Sequence, residues 1–279
     1  MSIPNTLTLG FSTCPNDTFI FHALVHGLIN DQSFRFKAVL KDVESLNKDS
    51  AAARLDVRKL YLAALGHVIS DYALLRSGAA LGRGCGPLVV ARAGVSLADL
   101  GRSRVAVPGL WTTACLLLGL YLGHRPRVDA MTFDRIMPAV AEGRYDFGVI
   151  IHEGRFTYAE YGLVNKLDLG QWWEVQTSMP IPLGCIAVRR ALGAAVAKQV
   201  ETLIQSSVTH AFDHPQDSQA YINAHAQELA EPVIRQHIDL YVNKYTRDIG
   251  EEGEAAVRVL LERAREAGVV PPSTQPLFL

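Results

Sequence analysis

This chain is poorly equipped for disulfide chemistry. Its 279 residues hold four cysteines, at positions 14, 85, 115 and 185, with no C-x-x-C pair and no histidine beside them at zinc-ligand spacing. Cys85, Cys115 and Cys185 therefore read as buried thiols of a reducing compartment, and Cys14 stands apart only because it falls in a polar junction. Charge of one sign is scarce as well. Lys and Arg number 27 and Asp and Glu 28, without long runs of either, which argues against nucleic acid or an anionic membrane surface as a partner. Long apolar runs are missing too: the most apolar segment, "ACLLLGLYLG" at 114–123, is about half a bilayer span. The opening "MSIPNTLTLGFS" has neither the charged start nor the apolar stretch of a secretory signal, so cytoplasm is the expected location. No G-x-G-x-x-G follows a strand, and G-x-x-x-x-G-K-[ST] and G-x-S-x-G do not occur, so dinucleotide, P-loop and serine-elbow chemistry lack support.

What is present is alternation. "TLTLGF" at 6–11 reads as a strand, 17–28 as a helix capped by Asn16 or Asp17, 34–43 as a strand, and "SLNKDSAAARL" as a helix with Ser45 near its start. This β-α-β-α order implies a mostly parallel sheet. "GRGCGP" at 82–87 interrupts regular structure, and from Val105 a second β-α-β-α-β unit follows, ending at His152. "GPLVVAR" at 86–92 and "IPLGCIAVR" at 181–189 both run from Pro-Leu through a short apolar stretch to Arg, and are expected to be hinge strands leaving and returning. Residues 190–279 read as helices packing back on the first unit. The expectation is an α/β protein of two lobes, with residues 1–90 and 190–279 forming the larger one and 91–189 inserted.

In open α/β sheets, ligands gather beyond the carboxyl ends of strands, where helix N-termini present unpaired N–H groups. Ser12-Thr13-Cys14, Thr112-Thr113 and His152-Glu153 stand at such ends. Small polar side chains would let an anionic substrate approach a first helical turn, although either junction also suits a plain N-cap. His152 can accept a proton near neutral pH. His22 and His26, four apart on one helix, have no third ligand in the sequence, so no metal site is expected.

The stretches "FSTCPNDTFIFHALVHG", "DVESLN", "SGAALGRGCGPLVVAR", "VAVPGLWTTA", "IIHEGRFTYAEYGLV", "DLGQWW" and "PLGCIAVRR" together resemble the 1,4-dihydroxy-6-naphthoate synthases of the futalosine route to menaquinone. The resemblance runs to "YVNKYTRDIGEEGEAAV" and the final "PLF". It implies a fold like that of type II periplasmic binding proteins, with a cleft and hinge strands. It also implies a carbon–carbon lyase that takes cyclic dehypoxanthine futalosine to 1,4-dihydroxy-6-naphthoate without metal or organic cofactor. His152 falls on that family's general base, and Thr112, Thr113 and Asn47 on substrate contacts. Lys59, Leu60 and Tyr61 align with a K-L-S substrate-binding segment, from which Tyr61 departs because a small serine is expected there. Ser12, Cys14 and Leu183 complete the expected substrate-binding set. A non-catalytic organic-anion binder and chorismate dehydratase are the alternatives, and a homodimer is left open.

Overall fold

The computed structural model describes residues 6–29, 34–226 and 230–279. The first unit alternates β1 (Thr6–Phe11), α1 (Pro15–Val25), β2 (Arg35–Leu40), α2 (Val43–Ser50), β3 (Val57–Tyr61) and α3 (Leu62–Val68), then adds the short strands β4 (Tyr72–Leu74) and β5 (Ala80–Gly82). In β1 the period of two is plain: Leu7, Leu9 and Phe11 are fully buried, and Thr8 gives both its backbone N–H and its hydroxyl to the Asp56 carboxylate at 2.9 Å. Helical crossovers leave β1 parallel to both β2 and β3.

The second unit comprises β6 (Leu88–Arg92), β7 (Arg104–Val107), α4 (Thr113–Leu122), β8 (Arg127–Ala130), α5 (Phe133–Ala141), β9 (Phe147–Ile150), α6 (Gly154–Thr157), β10 (Leu163–Asp168) and α7 (Leu169–Thr177). Its sheet has the order β10-β6-β9-β7-β8. The chain then returns through β11 (Ile181–Arg189) to the first sheet, whose order is β2-β1-β3-β11-β4, with β5 also paired to β11. Among the described residues five α-helices close the fold: α8 (Ala194–Asp213), α9 (Gln219–His225), α10 (Glu231–Tyr241), α11 (Lys244–Arg247) and α12 (Gly250–Glu266). Among them α8 packs on α1: Ser207 donates its hydroxyl to the Ile20 carbonyl at 2.6 Å and accepts the Leu24 N–H at 3.1 Å.

Sheet membership moves the expected lobe boundaries. β11, assigned by sequence to the inserted lobe, lies in the middle of the first sheet, antiparallel to β3. Cys185, Ile186, Ala187 and Val188 are fully buried there, and a strand covered on both faces carries no alternation to say which sheet holds it. β6, placed largely in the first lobe, belongs to the second sheet. Pro182 sits inside β11 at a register irregularity, where a missing N–H is tolerated. The sequence reading also left β10 and α7 unassigned. α7 is started by Asp168, whose carboxylate accepts the N–H groups of Gly170 and Gln171 at 2.8 and 3.0 Å. Where the chain passes between sheets, Gly86 and Gly170 touch so closely that a Cβ on Gly86 would stand 2.3 Å from the Gly170 Cα.

Candidate active site

The carboxyl ends of β1 and β3 from one sheet, and of β7 and β9 from the other, face a common cleft. At the end of β1 the polar junction answers to one buried side chain. Asp17 is fully buried, and its carboxylate accepts the Ser12 N–H at 3.1 Å, the Ser12 hydroxyl at 2.7 Å, the Asn16 amide at 3.0 Å and the Lys59 ammonium at 2.8 Å. The expected cap by Asn16 or Asp17 is therefore corrected: Cys14 is the N-cap and makes no side-chain cap bond, and Pro15 occupies the first helical position. An anion at this helix start is supplied by the chain itself, so the α1 junction is a built wall and not an open anion site.

β3 alternates toward the cleft through Lys59 and Tyr61, while Leu60, between them, is fully buried in the core. Gly184 on β11 lies opposite Tyr61. A Cβ there would come within 3.2 Å of the Lys59 Cε, so the glycine leaves that stem its path. Asn47, fully buried on α2, accepts the Tyr61 N–H at 3.2 Å through Oδ1.

From the second sheet, His152 follows β9 by two residues with φ +54, a left-handed backbone that is costly for any residue but glycine. This turn aims its ring back into the cleft, where Nε2 lies 3.1 Å from the Tyr61 hydroxyl. The ring stacks on that of His237 from α10, centroids 5.8 Å apart and planes 12° off parallel. Burial pushes the His152 imidazole down to about 4; the Asp17 carboxylate opposes that shift and the Lys59 ammonium adds to it. His237 is likewise held well below its ordinary value, first by burial and then by His152 and Lys59. Its Nε2 lies 2.9 Å from Asn16 Oδ1. Since the Asn16 amide nitrogen is already donating to Asp17, Nε2 carries the ring proton and Nδ1 is the basic nitrogen. That Nδ1 stands 3.8 Å from the Glu153 carboxylate.

Two hollows meet at these residues. The inner one, about 50 Å³, is walled by Val43, Ala80, Cys85, Pro87, Ile151 and Leu183, with Lys59, Asp17, Thr113, Ala114 and Tyr241 among its polar or amide-bearing neighbours. The outer one, about 530 Å³, opens between Cys14, Asp42, Glu44 and Lys48 on one side and Pro108, Thr132, Asp134 and Arg135 on the other. Tyr61, His152, Val43 and Ile151 line both. The inner hollow alone is too small for a whole organic substrate, whereas the outer one is of ligand size.

Of the expected site residues, Ser12, Lys59, Tyr61, Thr113, His152 and Leu183 line the inner hollow and Cys14 the outer. Thr112, Asn47 and Leu60 line neither, and each has a structural reason. The Thr112 hydroxyl caps α4 by accepting the Cys115 N–H at 3.1 Å and donates to the Gly109 carbonyl at 2.7 Å. Thr113 instead reaches across the junction, donating to the Leu183 carbonyl at 2.7 Å. The Cys14 thiol is pushed up by burial, then by Glu153 and Asp17, and stays protonated. Sequence reasoning missed His237 and Tyr241, although Ile234, His237 and Tyr241 form one buried helical face.

His152, Glu153 and His237 bring ligand-type atoms within 4.8 Å of one another.

Comparison with known proteins bears on this cleft. The family profile described as "Menaquinone biosynthesis" matches residues 7–266. The chain belongs to that menaquinone-biosynthesis family. Two curated relatives, both named 1,4-dihydroxy-6-naphtoate synthase, come from Thermus thermophilus and Streptomyces coelicolor. The first is 50% identical over 98% of this chain and 99% of its own length, the second 45% identical over 96% and 95%. A crystal structure of an Archaeoglobus fulgidus protein matches with TM-score 0.89 and 33% identity, covering 96% of this chain and 100% of its own. The alkanesulfonate-binding protein of Xanthomonas axonopodis matches at TM-score 0.72 and 13% identity over 98% and 96%, which shows a shared periplasmic-binding-protein fold. Among the described residues no helix is long and apolar enough to cross a membrane.

Proposed function

We propose that this family member carries out the reaction for which its curated relatives are named, forming 1,4-dihydroxy-6-naphthoate from cyclic dehypoxanthine futalosine as a cytoplasmic carbon–carbon lyase, monomeric or homodimeric, without metal or organic cofactor. The observation that carries the reading is the imidazole of His152, aimed from one sheet into a hollow walled by both, where burial lowers its affinity for a proton. His152 removes a proton from the bound spirocyclic substrate. The released electron pair enters the forming ring, the pair of the breaking carbon–carbon bond leaves with the sugar-derived fragment, and that fragment takes back the proton from His152, so the ring becomes aromatic with no net redox change. The carboxylate end of the substrate enters the inner hollow, toward Lys59 and the first-turn amides of Thr113 and Ala114, and its rings extend past Tyr61 and His152 into the outer one. The polar outer hollow takes the sugar fragment.

General-base help is worth about 10²–10⁴-fold in rate. A His152→Asn enzyme should therefore bind substrate yet lose turnover by about that factor, measured by mass spectrometry of released dihydroxynaphthoate. Wild-type turnover in that variant would remove His152 as the base. Failure of the unmodified enzyme to form this product, with chorismate offered in parallel, would remove the substrate assignment.

A further inference from the structure

We infer that Tyr61 is a positioning residue for His152: its phenol crosses the cleft, holds the imidazole at the partition between the two hollows with Nε2 as the accepting nitrogen, and yields that nitrogen to substrate. The inference rests on the reading of His152 as the base.

Tyr61 comes from the first sheet and His152 from the second, and their contact at 3.1 Å is a direct side-chain hydrogen bond between them. The phenol is anchored from behind. Its own N–H is held by Asn47 Oδ1, and its backbone is the extended N-cap of α3. A phenol is the better donor of the two and an imidazole nitrogen the better acceptor, so O–H to Nε2 is the favoured direction and the ring proton sits on Nδ1. Burial holds the phenol well above its ordinary value, which keeps that donor proton in place. A serine at position 61 would end several ångströms short of the ring by its side-chain length alone, so in this chain the tyrosine makes a contact that a serine cannot. Because both residues line both hollows, a substrate that occupies the two together must pass between them.

A hydrogen bond to the neutral imidazole opposes its protonation. The other ionisable groups close to the ring are Lys59 from β3, Asp17 from α1, Glu153 beside it and His237 from α10, and Tyr61→Phe leaves all of them in place. In Tyr61→Phe, the protonation constant of His152 should rise about three- to tenfold, the equivalent of one net hydrogen bond. It is read by NMR titration of histidine-labelled enzyme, with His152→Asn assigning the resonance. The acid limb of kcat/KM should move to higher pH by the same factor, and Tyr61→Ser should move it at least as far. An NMR midpoint in Tyr61→Phe identical to wild type overturns the inference. A midpoint that moves while the acid limb stays fixed removes His152 as the base but leaves the hold of Tyr61 on it standing, so the two failures are distinguishable.

Discussion

Acidification should cost the wild-type fold more than it costs a His152→Asn variant, and the excess measures how strongly the cleft rejects a charged imidazole. An ordinary histidine titrates near 6.5, whereas burial lowers His152 to about 4 in the folded protein. As pH falls from about 6.5 toward 4, the unfolded chain takes up this proton before the folded one does. Stability therefore falls with pH at up to about 1.4 kcal/mol per pH unit across that window. By pH 4.5 the accumulated loss is roughly 2–3 kcal/mol, and it approaches its limit below pH 4. Asparagine carries no such proton. Its stability should decline only with the groups the two proteins share, among them His237, which acts in the same direction and largely cancels in the comparison.

Urea unfolding at pH 7, 5.5 and 4.5 reads the difference directly, provided the urea dependence of the two proteins is the same. Wild type should lose roughly 2–3 kcal/mol more than the variant between the first and last conditions. Parallel curves would mean that His152 protonates as it does in water. Burial would then not be what keeps the proposed base unprotonated.

The buried ion pair and the capping threonine give two further outcomes. Lys59→Met strips the ammonium from a fully buried Asp17 and should destabilise by about 3–5 kcal/mol in chemical denaturation, with Asp17→Asn recovering part of that loss in the double variant. A cost of less than about 1 kcal/mol would make the pair no stronger than a surface one. Thr112→Val should cost about 1 kcal/mol of stability through loss of the α4 cap and leave KM unchanged, because its hydroxyl is spent on Cys115 and Gly109. A raised KM would show that it reaches substrate after all.

The sequence was informative wherever a residue's meaning depends on its neighbours in the chain. Strand ends follow from local alternation, so Ser12, Thr113 and His152 could be found without coordinates. Asp17 could not be assigned that way. An aspartate near a helix start reads as a cap, and its actual partner Lys59 is 42 residues away. His237 is 85 residues beyond His152 on a helix whose partner is set by tertiary packing, although its buried face was readable. The paired threonines divide for a finer reason: Thr112 caps α4 and Thr113 lines the inner hollow. Moving a helix start by one residue exchanges which hydroxyl caps and which faces outward, and that register lies inside the ordinary uncertainty of helix ends.

The same burial that keeps His152 unprotonated also makes it a weak base at rest, since proton abstraction is favoured when the base's pKa lies near the working pH. The cleft offers a way out of that conflict. Asp17 already raises the affinity of His152 for a proton, and its four donors come from Ser12 in the turn after β1, Asn16 on α1 and Lys59 on β3, so its place does not depend on substrate. Lys59 works against His152 while its charge faces only Asp17. A substrate carboxylate drawn toward Lys59 would offset that charge and strengthen the base at the moment of binding. Binding and base strength are then coupled through one lysine, so a substrate analogue lacking the carboxylate should lose kcat as well as affinity.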